Sequence, residues 1–245
     1  MHRFSDKTVI KVSCSALLSL TFLGGWSIQA LANSSNPPDV GLPGRRVGAG
    51  TRDGCYSSPN VLQALTPKSN LGKTTKPDPS FFIYVPPSNA QEAKFVLEDA
   101  SAKEVYQTNV SLTNNSGIVS VTLPETSNSS ILEEGKSYKW SFQLICRQSN
   151  GSITYGDFVE GWVVRQAPDA VLEEQLASMS FRDRAARYAS LGIWYDSVEA
   201  LAQAWRNPSL NPTDSNPERE WKSLLTSVGL VSIAEEPLVP CCQPQ

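Results

Sequence analysis

The chain has 245 residues and 40% hydrophobic composition, enough for one or two domains with a sizeable core. Its formal net charge of −3 gives no electrostatic basis for binding nucleic acid or an anionic lipid surface. The sole histidine is His2, so beyond the first residues there is no imidazole for nucleophilic catalysis, general-base chemistry or metal ligation.

Residues 1–32 read as a cleavable secretory signal peptide. Arg3, Lys7 and Lys11 stand against one Asp6, then an uncharged apolar run extends from Val12 to Ile28. Ala30 and Ala32 occupy the small-residue positions of a peptidase site. The alternative, an uncleaved anchor, is disfavoured by Gly24-Gly25 and the serines within a run already short for a span. Cleavage after Ala32 removes three basic residues and one acid, which takes the net charge from −3 to about −5. No later stretch is long and apolar enough for a stable membrane span after cleavage.

Residues 33–44 are rich in Pro and Gly and read as a flexible linker. Residues 45–166 carry a β pattern. Phe81, Ile83 and Val85 alternate, then Phe95 and Leu97, then Tyr106, Thr108, Val110 and Leu112, then Val119, Val121 and Leu123. The clearest strand is 136–146, with Tyr138, Trp140, Phe142, Leu144 and Cys146 on one face. Residues 157–165 are apolar on both faces, so this strand is expected to be well covered, with Trp162 facing inward like Trp140. Many short strands between turn signals predict an antiparallel, immunoglobulin-like β-sandwich. Leu132 and Gly135 just before Tyr138 resemble a tyrosine corner, although a core Tyr in any β-domain would look the same. Beyond the leader, four cysteines remain: Cys55, Cys146, Cys241 and Cys242. A Cys55–Cys146 disulfide is expected, with two free buried thiols as the alternative. The adjacent Cys241-Cys242 pair could be free, vicinal or intermolecular.

Residues 169–230 read as a small helical hairpin region and 231–245 as a C-terminal tail. Ser180 with Asp183 forms a capping box for a helix over 181–191, stopped at Gly192. Asp196 with Glu199 reads as the cap of a second helix carrying Val198, Leu201, Ala202 and Trp205. Asn216-Pro217 opens a third, with Trp221, Leu224, Leu225 and Val228 inward and Gly229 at its end. Tyr188, Leu191, Gly192, Trp194, Leu201 and Ala204 resemble the packing positions of one tetratricopeptide hairpin. A single repeat implies a hairpin that packs on something else, not a peptide groove.

Motifs for chemistry are sparse. Gly72-Lys73-Thr74 resembles the end of a phosphate-binding loop, but Pro67 stands where the first glycine belongs. Residues 44–55 are glycine-rich and basic, with no following helix to complete a dinucleotide site. Asp157 with Glu160, and Glu98-Asp99, are the only acids placed to suggest carboxylate-dependent hydrolysis. No catalytic, cofactor or metal site is expected. Trp194 and Tyr195 are the candidate partner contact, and the competing role for both rings is filling the core between helices. Sequons stand at Asn33, Asn109, Asn114, Asn128 and Asn150.

Taken in order, GRRVGAGTR-x-GC, FFIYVP, GIVSVTLP, YKWSFQLIC, FVEGWVVR, RYASLGIWYDS and LLTSVGL resemble a cyanobacterial family of exported proteins, domain of unknown function nine-two-eight. The resemblance covers about residues 44–239 and brings no activity or catalytic positions with it. The expected function is a noncatalytic binding or scaffold protein of the periplasm or cell surface, its partner another envelope or secreted protein. The alternatives are a carboxylate-dependent envelope hydrolase and a carbohydrate-binding module. The last needs outward aromatic residues on a sheet.

Overall fold

The period-two alternation of residues 80–165 folds into two β-sheets, and the region after it into helices. The computed structural model describes residues 42–50, 55, 59–112, 116–125, 130–148, 150–167, 169–207 and 216–240. The strands are β1 (Gln63–Ala64), β2 (Leu71–Thr74), β3 (Ser80–Val85), β4 (Ala90–Asp99), β5 (Glu104–Ser111), β6 (Gly117–Thr122), β7 (Ser137–Arg147) and β8 (Ile153–Arg165). The helices are α1 (Ala170–Ala177), α2 (Phe181–Ser190), α3 (Trp194–Arg206) and α4 (Pro217–Ser227), followed by a 3-10 turn at Val231–Ile233. The fold is mixed, with more strand than helix. The signal peptide, most of the linker, Cys241-Cys242 and sequons Asn33, Asn114 and Asn128 lie outside the described residues.

One sheet has the order β1-β3-β6 and the other β2-β8-β7-β4-β5. Strand β7 places Tyr138, Trp140, Phe142, Leu144 and Cys146 inward, all buried, as its alternation predicts. Phe81 of β3 joins the sheets, with its ring 5.1 Å from Phe95 and 5.4 Å from Trp140. Burying such rings removes large apolar areas from water and supplies much of the core's stabilisation. Strand β3 is buried on both faces because helices cover its second side. There Phe82 meets Trp221 at 6.0 Å, and Trp221 meets Trp205 at 5.7 Å.

Two expectations need correction. The pairing is not antiparallel throughout, since β2 runs parallel to β8 from Leu71↔Trp162 to Thr74↔Arg165. Strand β2 is four residues of mixed polarity, too short to carry a readable alternation. It contains the Gly-Lys-Thr string, which is therefore ladder and not a phosphate loop. The second correction concerns Trp162, which faces outward. Val159, Gly161 and Val163 take the inward positions and are buried. A Cβ on Gly161 would meet the Trp140 ring at 2.7 Å, so the inner layer has room for one indole only. The Trp162 ring lies under the lead-in segment, its Nε1 donating to the Pro43 carbonyl at 2.8 Å. This cover explains why β8 reads apolar on both faces.

The ends of the three helices expected from the sequence follow their signals with one exception, and α1, capped by Asp169, is an additional helix. Ser180 caps α2 by accepting from Asp183 N at 3.1 Å, and its hydroxyl donates to the Asp183 carboxylate at 2.8 Å. Asn216 caps α4 by accepting from Arg219 N at 3.0 Å, with Pro217 in the first turn. Gly192 adopts the left-handed conformation (φ 71°) that ends the α2 region. The exception is α3, which begins at Trp194 and has no side-chain cap. Asp196 lies in its first turn, and its carboxylate bonds elsewhere. No helix among the described residues is long and apolar enough to cross a membrane. Past the 3-10 turn the chain returns to the smaller sheet. Ile118 N donates to the Pro237 carbonyl at 2.7 Å, and Val239 N donates to the Ile118 carbonyl at 3.0 Å. Leu238 thereby forms a parallel bridge with Ile118 on the open edge of β6.

Candidate functional site

The candidate partner contact is the first feature to place. Trp194 and Tyr195 are both buried, at 6% and 1% exposure, so neither ring is an external anchor. Trp194 Nε1 donates to the Leu65 carbonyl at 2.8 Å. The Tyr195 hydroxyl accepts from Trp140 Nε1 at 2.7 Å and donates to the Trp162 carbonyl at 2.9 Å. Its ring lies 5.2 Å from Phe81, and a Cβ on Gly72 would come within 2.6 Å of it. Burial pushes the phenol well above its ordinary range, against the pull of the Trp140 donor. The GIWYDS cluster thus fixes α3 to both sheets, the core-filling role weighed against a contact role.

The acids do not converge. Asp157 and Glu160 are three apart on β8, an odd separation that puts them on opposite faces. Asp157 is buried and holds the glycine-rich lead-in. It accepts from Gly50 N at 3.0 Å and from Phe158 N at 2.9 Å, and pairs with Arg45 at 3.2 Å. The backbone passes so closely that a Cβ on Gly48 would lie 2.1 Å from the Asp157 carboxylate. Glu160 is on the outer face, 2.7 Å from Lys139 Nζ, which lies 3.9 Å from Glu98. Asp99 closes a turn by accepting from Ser101 N and Lys103 N. Asp196 is buried and accepts from the Thr75 hydroxyl at 2.8 Å and Thr75 N at 3.2 Å. Burial raises its pKa, opposed by bonds from Thr74 and Thr75 and the charge of Lys76. Among the described residues no cluster of three or more acids and cysteines could hold a metal ion.

The clamp on the lead-in gives a direct expectation. Asp157→Ala leaves Gly50 N and the Arg45 guanidinium without this acceptor, costing about 1–3 kcal/mol. Limited proteolysis should then cut within residues 42–50 faster than in the wild type, with the sheets intact. Unchanged cleavage and an unchanged unfolding midpoint would rule out the clamp.

Cys55 and Cys146 are joined, with Cα atoms 5.8 Å apart and a sequence separation of 91. Both are buried, and a Cβ on Gly156 would meet Cys55 Sγ at 2.6 Å. The bridge ties the segment before the first strand to the end of β7. This is the pairing that the sequence predicts.

Among the hollows bordered by described residues are two of contrasting lining. One lies between α2, α3 and α4 and is about 200 Å³, floored by Ala185 and Leu201. An Arg182–Glu220 ion pair at 3.2 Å borders it. The other is a wider, polar hollow of about 460 Å³ on the outer face of the five-stranded sheet. It is lined by Lys94, Gln107, Thr108, Asn109, Ile145 and Tyr155. Tyr155, a large aromatic near the start of β8, is 62% exposed. Apart from Thr108, which shares the inward alternation of β5, these are outward positions in strands recognised by their inward ones, and sequence reading did not group them as a site. The available signal was the polar half of the alternation: Lys94 and Glu92 on β4, Gln107 and Asn109 on β5, and Gln143 on β7.

The sequence profile of the family described as Domain of Unknown Function (DUF928) matches residues 47–238. No curated protein matches the sequence.

Proposed function

The chain belongs to the DUF928 family, and we propose that it is an exported, noncatalytic binding protein of a cyanobacterial periplasm or cell surface. The n-region, apolar run and Ala30/Ala32 pair of the leader support export. The observation that carries the binding role is the open hollow on the outer sheet face, where an exposed Tyr155 stands beside Lys94, Gln107 and Asn109. Exposed aromatic rings among polar groups are characteristic of contact surfaces. The acids suggested for hydrolysis are engaged in holding backbone or pairing with cations, so that chemistry draws no support from their arrangement.

The scaffold itself reads as an immunoglobulin-like sandwich. In support, β1-β3-β6 opposes β2-β8-β7-β4-β5, and the Tyr138 hydroxyl near the start of β7 accepts from Glu133 N at 3.0 Å. That bond has the geometry of a tyrosine corner. The ligand belongs to the envelope or to the secreted material around it.

The mature chain, residues 33–245 with the disulfide intact, should co-sediment with envelope fragments from the host. Tyr155→Ala should lower its affinity about tenfold, a loss of about 1.4 kcal/mol. Arg187→Ala on exposed α2 should leave binding unchanged. Protein recovered outside the cytoplasm should begin at Asn33. An intact leader on cytoplasmic protein would overturn export, and undiminished binding by Tyr155→Ala would overturn the binding face.

A further inference from the structure

We infer that the outer face of the five-stranded sheet takes an acidic saccharide, a run of carboxylated sugar residues, with Lys94 meeting a carboxylate and Tyr155 stacking on a sugar ring. The inference rests on the binding-face reading and names the ligand class for it.

The ladder register fixes the arrangement. Lys94 stands between Asn109 of β5 and Gln143 of β7, and the next outward position, Val96, stands between Gln107 and Ser141. Ile145 is opposite Tyr155 and is buried, giving that ring an apolar footing while its other side faces solvent. The face therefore presents amides and a hydroxyl, which both donate and accept, around one ammonium and beside one aromatic plane. Sugar hydroxyls require both donors and acceptors, and the C–H face of a pyranose requires an apolar plane. The hollow's volume of about 460 Å³ falls within the usual range of small-ligand sites, about 300–1,000 Å³.

Charge selects the acidic class. Glu92 is paired with Arg147 at 3.2 Å, and Lys139 lies 2.7 Å from Glu160 and 3.9 Å from Glu98. Arg45 is engaged by Asp157 and lies 4.2 Å over the Phe158 ring, closing that second aromatic to a ligand. Lys94 has no carboxylate partner among the described residues. On a chain whose net charge is −3, an anionic ligand is drawn only where a local cation is left uncompensated. Lys94 is such a cation, and it lines the hollow.

The probes are polygalacturonate, neutral dextran and polyglutamate, each titrated by calorimetry into unglycosylated mature chain, because a glycan on Asn109 would fill the hollow. Polygalacturonate should bind and dextran should not. Lys94→Gln should weaken binding at least about tenfold while Lys94→Arg retains most of it. Tyr155→Ala should weaken it similarly and Tyr155→Phe should not. These side chains face solvent, and unchanged urea midpoints will show that the variants fold. Equal binding of dextran overturns the charge selection. Binding of polyglutamate at the polygalacturonate affinity, insensitive to Tyr155→Ala, overturns the saccharide. If no polysaccharide binds but Tyr155-dependent envelope binding persists, the ligand class is wrong and the binding face stands. Loss of both removes both.

Discussion

Replacing Cys55 and Cys146 together by Ala lowers the unfolding free energy by about 4–5 kcal/mol. The bridge spans a sequence separation of 91, and closing so long a loop removes much of the unfolded chain's freedom. That is a large fraction of the 5–15 kcal/mol by which domains are ordinarily stable. Urea unfolding of oxidised, reduced and double-Ala protein measures the effect, and reduced and double-Ala forms should agree. The loss should not be confined to the lead-in, because Cys146 is at the end of β7 in the middle of the larger sheet. An unshifted midpoint on reduction would overturn the assignment of this stability to the bridge.

The second large effect is at Tyr195. Tyr195→Ala empties a site between both sheets and is expected to cost about 3–5 kcal/mol. Tyr195→Phe keeps the ring and removes the hydroxyl, leaving Trp140 Nε1 without its acceptor and the Trp162 carbonyl without this donor. That change should cost about 1–3 kcal/mol. The difference between the two variants separates the ring's packing from its hydrogen bonds. Unfolding should stay a single transition in circular dichroism and tryptophan fluorescence, because α3 shares its core with β3 and β7. Two separated transitions, helices first, would show that the helical region folds apart from the sheets.

Much of this fold is legible in the sequence, where one residue's position settles a face. The alternation through residues 138–146 places five inward side chains correctly, and Ser180, Gly192 and Asn216-Pro217 mark helix ends that the structure keeps. What failed to show depends on partners far along the chain. Trp162 looks like Trp140 in its local pattern, but the Trp140 ring occupies the space beside Gly161 and segment 42–45 covers the other side. Asp196 looks like a helix cap, yet Thr75, more than a hundred residues away, takes its carboxylate. The candidate site was hidden for a related reason. Tyr155 and Lys94 acquire their arrangement only once β5, β4, β7 and β8 are side by side, and no local motif encodes that neighbourhood.

The bridge between Leu238 and Ile118 has a consequence for the order in which the molecule can be completed. Strand β6 offers an unpaired row of backbone donors and acceptors as soon as β3 has joined its other side, a standing invitation to a foreign strand. Its own cover, residues 237–239, bonds to Ile118 and is made long after residue 122. For that interval a growing chain presents a sticky seam. The same three residues act as the final latch on the smaller sheet, so a nascent chain arrested shortly before them is the form most exposed to misassembly.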